Sequence, residues 1–580
     1  MIRRVTHIFG SAAAVLDRTR RLRWTDLGLL IAVGGVVFGL VRLAQQWTGA
    51  LRPTIEIDLS LGALPEYTLL SLWRGLAAYV LSLLFTLVYG YWAAKDHAAE
   101  RILIPTLDIL QSIPVLGFMP GLVLGLASLF PHSNFGLELA SVLMIFTGQA
   151  WNMTFSFYHS LRSLPRDLSE VATLNRFGWW QRFRWVELPF SAIGLIWNSM
   201  MSMAGGWFFL MVSEAFVLGD KDFRLPGLGS YMSVAVARGD GRAMIAAVAA
   251  MALMIVALDQ LLWRPVVVWA QKFRVEESGQ AEAMESWFLE LLRRSHVLAG
   301  VSGALRRASS ALGRAAPPRS GRPPRPRVAS RSVSRISLAL FVALLLGLAA
   351  GAFGLVRLLR EVAPAEWRDT GLSALVTLGR VLVATAAGTA WALPAGLAIG
   401  LSPRLSRVLQ PVVQVVASFP APMLFPAVVA ALALAGVGLG WGSIFLMLLG
   451  TQWYILFNVI AGATAIPADL REAARIYRLG RMQRFRVLYF PAVFPYLVTG
   501  WVTAAGGAWN ASIVSEYMSF KGEVLSTFGL GARISLAAGA GRFPLLAAAV
   551  TVMATVVVLF NRLVWRRLHR VAEERFSIAR

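Results

Sequence analysis

Apolar stretches long enough to cross about 30 Å of hydrocarbon recur along this whole chain, and they leave few folds open to it. Candidate spans fall at 27–46, 69–94, 103–128, 138–162, 190–218 and 243–270, then at 336–357, 373–400, 406–435, 440–464, 492–518 and 543–565. With 57% hydrophobic and 15% charged residues, the chain is far more apolar than soluble domains, about a quarter of whose residues are charged. The expectation is an all-α polytopic membrane protein with about twelve transmembrane helices. The first span follows a basic leader that lacks a clear small-residue cleavage site, so it reads as a retained anchor.

The spans fall into two sets because the chain is duplicated. Pro165-Arg166-Asp167-Leu168-Ser169-Glu170-Val171-Ala172, Gly178, Gln181-Arg182-Phe183-Arg184 and Pro189 reappear as Pro467-Ala468-Asp469-Leu470-Arg471-Glu472-Ala473-Ala474, Gly480, Gln483-Arg484-Phe485-Arg486 and Pro491. Glu170 and Glu472, Gly178 and Gly480, and Pro189 and Pro491 each lie 302 positions apart. The same spacing relates Trp207 to Trp509, Ser213-Glu214 to Ser515-Glu516, and Gly227-Leu228-Gly229 to Gly529-Leu530-Gly531. Upstream the offset is 306, relating Arg74 to Arg380, Ser112 to Ser418 and Pro114 to Pro420. An even number of spans per copy makes the repeats parallel. The expected units are residues 1–272 with a loop at 164–189, a linker at 273–334, and residues 335–580 with a loop at 466–491. Within the linker, 281–294 has the pattern of a short amphipathic helix, and the Pro/Arg tract at 315–327 cannot pack a core.

The net charge of +24 would point to nucleic acid in a soluble protein. Here its placement points to topology instead. Arg3, Arg4, Arg18, Arg20, Arg21 and Arg23, the loops holding Lys95 and Arg404, both duplicated loops and the tail after Arg562 fall on one side if both termini are cytoplasmic. Glu56, Asp58, Glu66, Glu361, Glu366 and Asp369 then fall outside. The basic linker is expected near anionic lipid head groups, with no nucleic-acid partner. Cysteine is absent and the six histidines have no ligand spacing, so no metal site is expected.

Each duplicated loop starts a helix at a proline with acids in its first turn, where the dipole favours them. Gly178 and Gly480 would then break it, giving a short elbow beside the membrane. These loops resemble the EAA motif of ABC importer permeases, which runs Glu-Ala-Ala, then a Gly, then Ile-x-Leu-Pro. Glu170, Ala172, Val186, Leu188 and Pro189 fit it, as do Glu472, Ala473, Ala474, Leu488 and Pro491. The motif's Gly is replaced by Arg176 and Arg478, with Gly178 and Gly480 two residues later, and Phe490 replaces the last Leu. The bend is therefore expected at the displaced glycines. The Ser-x-Pro starts at Ser112 and Ser418, and Ser-Glu followed by Gly-Leu-Gly, look closest to the nitrate/sulfonate/taurine type.

The resemblance implies coupling helices that dock on two ATPase subunits at the cytoplasmic side, and an external or periplasmic substrate-binding protein. Glu170 and Glu472 would meet a basic residue of the ATPase, and Ala172 and Ala474 would allow close approach. No GxxxxGK[ST] occurs, so ATP and Mg2+ would belong to the partner and this chain would bind no cofactor. The chain would be a non-enzymatic permease of a bacterial inner membrane. Candidate pathway residues are Gln111, Ser112, Asn152, Trp207, Glu214, Ser418, Asn458, Trp509, Asn510 and Glu516. Glu214 and Glu516 read either as interfacial acids paired with a nearby base such as Arg224 or Arg238, or as a gate or a brace for the Gly-Leu-Gly loops. Asp108 is matched by Gln414 and reads as a packing or topology feature. The rival class, an ion-driven carrier with six-plus-six repeats, would need intramembrane ion ligands in both halves, and few are present.

Overall fold

The computed structural model describes residues 56–273 and 349–576 except 113, 219, 220 and 521, with short pieces at 34–35, 41–42, 44–47, 288–290 and 346–347. Most of the first span, the start of the seventh and nearly all of the linker, including most of 281–294, lie outside the described residues.

Lipid offers no partner for backbone N–H and C=O groups, so spanning segments form helices that satisfy themselves. Among the described residues, seven helices are long and apolar enough to cross a membrane: Leu64–Lys95, Trp179–Ser213, Gly241–Phe273, Pro364–Leu401, Leu439–Thr464, Arg481–Ser515 and Phe543–Phe576. Phe135–Arg162, the counterpart of Leu439–Thr464, has 28 residues but more polar ones. Ile245 and Leu253, on the helix Gly241–Leu258, stay more than 70% exposed, as a face turned to lipid should.

The third span of each half departs from the expected continuous helix over 103–128 and 406–435. It is instead an amphipathic helix (His97–Ser112; Pro403–Ser418), a break, and a shorter apolar helix (Val115–Leu129; Phe425–Leu434). Proline is the cause. Pro114 and Pro420 have no N–H to give, and the ring of Pro420 forces Phe419 into extended backbone with ψ 130°.

The duplication extends to irregularities. A single wide π turn occurs at Phe183–Glu187 and Phe485–Tyr489, and again at Asp259–Trp263 and Asn561–Trp565. Two antiparallel hairpins add a little β-structure to the helical expectation: Ala215–Leu218 pairs with Lys221–Arg224, and Tyr517–Phe520 pairs with Glu523–Ser526. One apolar core runs through both halves, joining Leu116, Met203 and Leu210 to Ala505, Trp509 and Met553. The halves also exchange contacts: Val115–Leu129 packs on Phe490–Ser515, and Leu188–Ser213 packs on Pro403–Ser418.

Candidate functional site

Between the halves lies a cavity of about 530 Å3, walled by both copies. Gln111 comes from His97–Ser112, Asn152 from Phe135–Arg162, Ser418 from Pro403–Ser418, and Trp509 and Asn510 from Phe490–Ser515. Gln414, Trp151, Trp453 and Tyr454 add amide, indole and hydroxyl groups, and Asp108, His159 and His569 are its titratable lining. No Lys or Arg lies among the described lining residues. Apart from Asp108 and the two histidines, the polar groups of this largely apolar wall are neutral hydrogen-bonding ones, which hold a solute without stranding a fixed positive charge in an apolar site. Asn510 Nδ2 donates to the Gly506 carbonyl at 3.2 Å, while its buried Oδ1 has no partner and remains available to a donor.

Several expected pathway residues are elsewhere. Trp207 is buried against the helix Leu64–Phe85, where only the absent Cβ of Gly75 leaves it room. Asn458 Nδ2 turns back to the Tyr454 carbonyl at 2.8 Å and does not line the cavity. The backbone of Ser112 is helical, but its side chain lies outside the described residues. Glu214 and Glu516 are buried at the far end from the elbows and also do not line the cavity. Asp108, read as a packing feature, does line it.

These two glutamates form matched latches, and their partners are neither Arg224 nor Arg238. Glu214 Oε1 accepts from Arg74 Nη1 at 2.8 Å and from Ser71 Oγ at 2.7 Å, and its Oε2 accepts from the Gly229 N–H at 2.7 Å. Glu516 repeats the pattern with Arg380 Nη1 at 2.8 Å, Thr377 Oγ1 at 2.9 Å and the Gly531 N–H at 2.8 Å. The same arginines also donate to the carbonyls of Pro226 and Phe528 at 2.7 and 2.9 Å. A Cβ at Gly227 or Gly529 would stand 2.3 Å from the carboxylate, so glycine is required there for room. Each latch ties the stretch after the hairpin to the second span, which supports the reading of a brace. The sequence did hold a clue, because Arg74 and Arg380 are matched arginines inside apolar spans.

The elbows form as two short helices each, Arg166–Leu174 with Trp179–Arg182 and Ala468–Ile476 with Arg481–Arg484. Their bend is not at the glycines. Arg176 and Arg478 take the left-handed conformation (φ 53° and 52°), and the N–H of Phe177 and of Leu479 bonds back to the carbonyls of Ala172 and Ala474. This is a Schellman ending, whose left-handed position usually holds glycine. Gly178 and Gly480 have ordinary negative φ and start the second helix, each donating its N–H to the side-chain Oε1 of Gln181 or Gln483 at 2.9 Å.

Ala172 and Ala474 are buried against their own chain, at 1% and 5% exposure. They fit each elbow helix against the rest of its own chain and leave no exposed face for a partner. Outward the elbows present Glu170, Val171 and Leu174, and Glu472, Ile476 and Tyr477, with Ala473 half-buried.

The first elbow carries a brace that sequence reading missed. Arg182 Nη2 donates to Ser169 Oγ at 2.6 Å and Arg182 Nε to Glu187 at 3.0 Å, while Lys95, at the end of the second span, reaches the same buried Glu187 at 2.6 Å. In the second elbow Tyr489 holds the place of Glu187, and the Nε atoms of Arg471 and Arg484 are buried without a partner. Nearby, the hydroxyl of Tyr158, followed by His97 and Arg162, holds the Glu100 carboxyl below its ordinary range and fastens the amphipathic helix to Phe135–Arg162.

Residues 76–262 and 392–577 each match the family described as binding-protein-dependent transport system inner membrane component. The chain belongs to this family and carries its unit twice. It resembles a nitrate import permease of Synechocystis, 30% identical over 151 residues, which is 26% of this chain and 54% of that relative. A bicarbonate transport system permease of the same organism is 29% identical over 151 residues, 26% and 52% of the two chains. A putative aliphatic sulfonates transport permease of Bacillus subtilis is 26% identical over 160 residues, 27% and 54% of the two. These matches span about half the length of each relative.

Proposed function

We propose that this chain is the fused permease of an ATP-driven importer for a small anion of the nitrate, bicarbonate or sulfonate kind. The observation that carries the reading is the pairing of one cavity walled by both halves with two matched elbows on one polypeptide. Each elbow receives one ATPase subunit on the cytoplasmic side, through Glu170 with Leu174 and Glu472 with Ile476. ATP and Mg2+ belong to those subunits, and an external binding protein delivers the solute. Closure of the ATPases rocks the halves between inward-open and outward-open states. The relatives' names support a small anion, and so does a lining of amides, indoles and hydroxyls. An ion-driven carrier is disfavoured because Asp108 is the only carboxylate among the described lining residues and Gln414 stands at its matching place.

Reversing both elbow charges, Glu170→Lys with Glu472→Lys, should abolish substrate-stimulated ATP hydrolysis in the reconstituted complex. An unchanged rate would sink the docking assignment.

A further inference from the structure

The two latches share their arginine and glutamate but differ around them: Ser71, Leu225 and Pro226 are matched by Thr377, Thr527 and Phe528, and the change from Glu138 to Gly440 leaves an arginine edge without a carboxylate. In the first half a second carboxylate completes the latch: Glu138 Oε2 and Oε1 accept from Arg74 Nε and Nη2 at 2.6 and 2.7 Å, a bidentate pair with all three side chains fully buried. In the second half Gly440 holds that place. A Cβ built on Gly440 would stand 3.9 Å from Arg380 Nη2 and 3.5 Å from Thr527 Oγ1. Arg380 Nη1 is engaged by Glu516 and the Phe528 carbonyl, and Nη2 has only the Thr527 hydroxyl at 3.1 Å. The Arg380 side chain is 11% exposed, where Arg74 is wholly buried.

From this vacancy we infer a binding site for a small planar oxyanion, of formate, nitrate or bicarbonate size, on the Nε–Nη2 edge of Arg380 at the end of the molecule opposite the elbows. The first half supplies the template, since a carboxylate sits on the same edge of the same arginine there. The fork geometry of guanidinium matches two oxygens of a planar anion and does not match a spherical ion. Glu516 and the Phe528 carbonyl hold the guanidinium in place before the ligand arrives, so little ordering remains to be done on binding. The site is separate from the central cavity, which has no lining arginine among the described residues. Occupancy would give the second latch the bond pattern of the first and stiffen it.

The test uses the purified full chain in a phosphate-free maltoside detergent, with sodium formate as the probe and equal sodium chloride as the reference. Formate should raise the unfolding temperature of the wild type by roughly 1–2 °C for each tenfold rise above its dissociation constant. Gly440→Glu supplies the missing carboxylate and should abolish the increment, whereas Glu138→Gly opens the same edge in the first half and should enlarge it. Equal formate responses in the wild type and Gly440→Glu would place the anion elsewhere, the central cavity included, and overturn the site. An unchanged increment in Glu138→Gly would overturn the template on which it rests.

Discussion

The first half is fastened by buried carboxylates at both ends, and the second half lacks the matching one at each, with Gly440 and Tyr489 at the places of Glu138 and Glu187. At the far end Arg74 holds Glu138 and Glu214, while Arg380 holds Glu516 alone. At the elbow Glu187 gathers Lys95 and Arg182, while Tyr489 takes its place in the second copy. The arginines, the Gly-Leu-Gly turns and the elbow helices are kept in both. Around this shared framework the buried carboxylates Glu138 and Glu187 of the first half have no counterpart in the second, where the partly exposed pair of Glu366 with Arg542 occurs instead. Two halves of one shape and unequal stiffness are therefore expected.

The largest expected effect comes from removing the shared arginine of the tighter latch. Arg74→Met strands two buried carboxylates and should cost about 3–5 kcal/mol, visible as a large fall in unfolding temperature in detergent. Arg380→Met strands one carboxylate at a partly open site and should cost less, about 1–3 kcal/mol. Equal losses would break the comparison. A step smaller, Glu187→Gln should weaken the elbow brace by about 1–2 kcal/mol, since hydrogen bonds to a charged group are replaced by neutral ones and Lys95 is partly solvated. Hydrogen exchange of 166–174 should start slower than that of 468–476 and rise toward it in the variant. Exchange already equal in the wild type would show that the brace has no mechanical effect. The smallest effect is expected at the bend, where Arg176→Gly and Arg478→Gly each relieve a left-handed side chain and should stabilise by about 1 kcal/mol. The same change at Ala172 would lack that benefit.

The span pattern, the duplication and the elbows were legible because hydropathy and repeated spacing are local properties of the sequence. The breaks at Pro114 and Pro420 were half legible: the prolines marked them, but the runs around them stayed apolar enough to read as single spans. The latch partners were not legible by proximity, since Arg74 lies far from Glu214 in sequence and meets it only when the second and fifth spans pack. The matched pair Arg74 and Arg380 was the available signal. The bend was not legible, because glycine preference points to Gly178 and Gly480. The Schellman bonds decide it instead, and they hold two arginines where glycine would be easier. The hairpins, with strands of four residues, are too short for alternation to register.

The central claim is that one polypeptide supplies both docking elbows and the whole cavity. Native mass spectrometry of the complex assembled with its ATPase tests this most directly. The account predicts one copy of this chain with two ATPase subunits. A complex holding two copies of the chain, or a chain that retains no ATPase under gentle extraction, would contradict it.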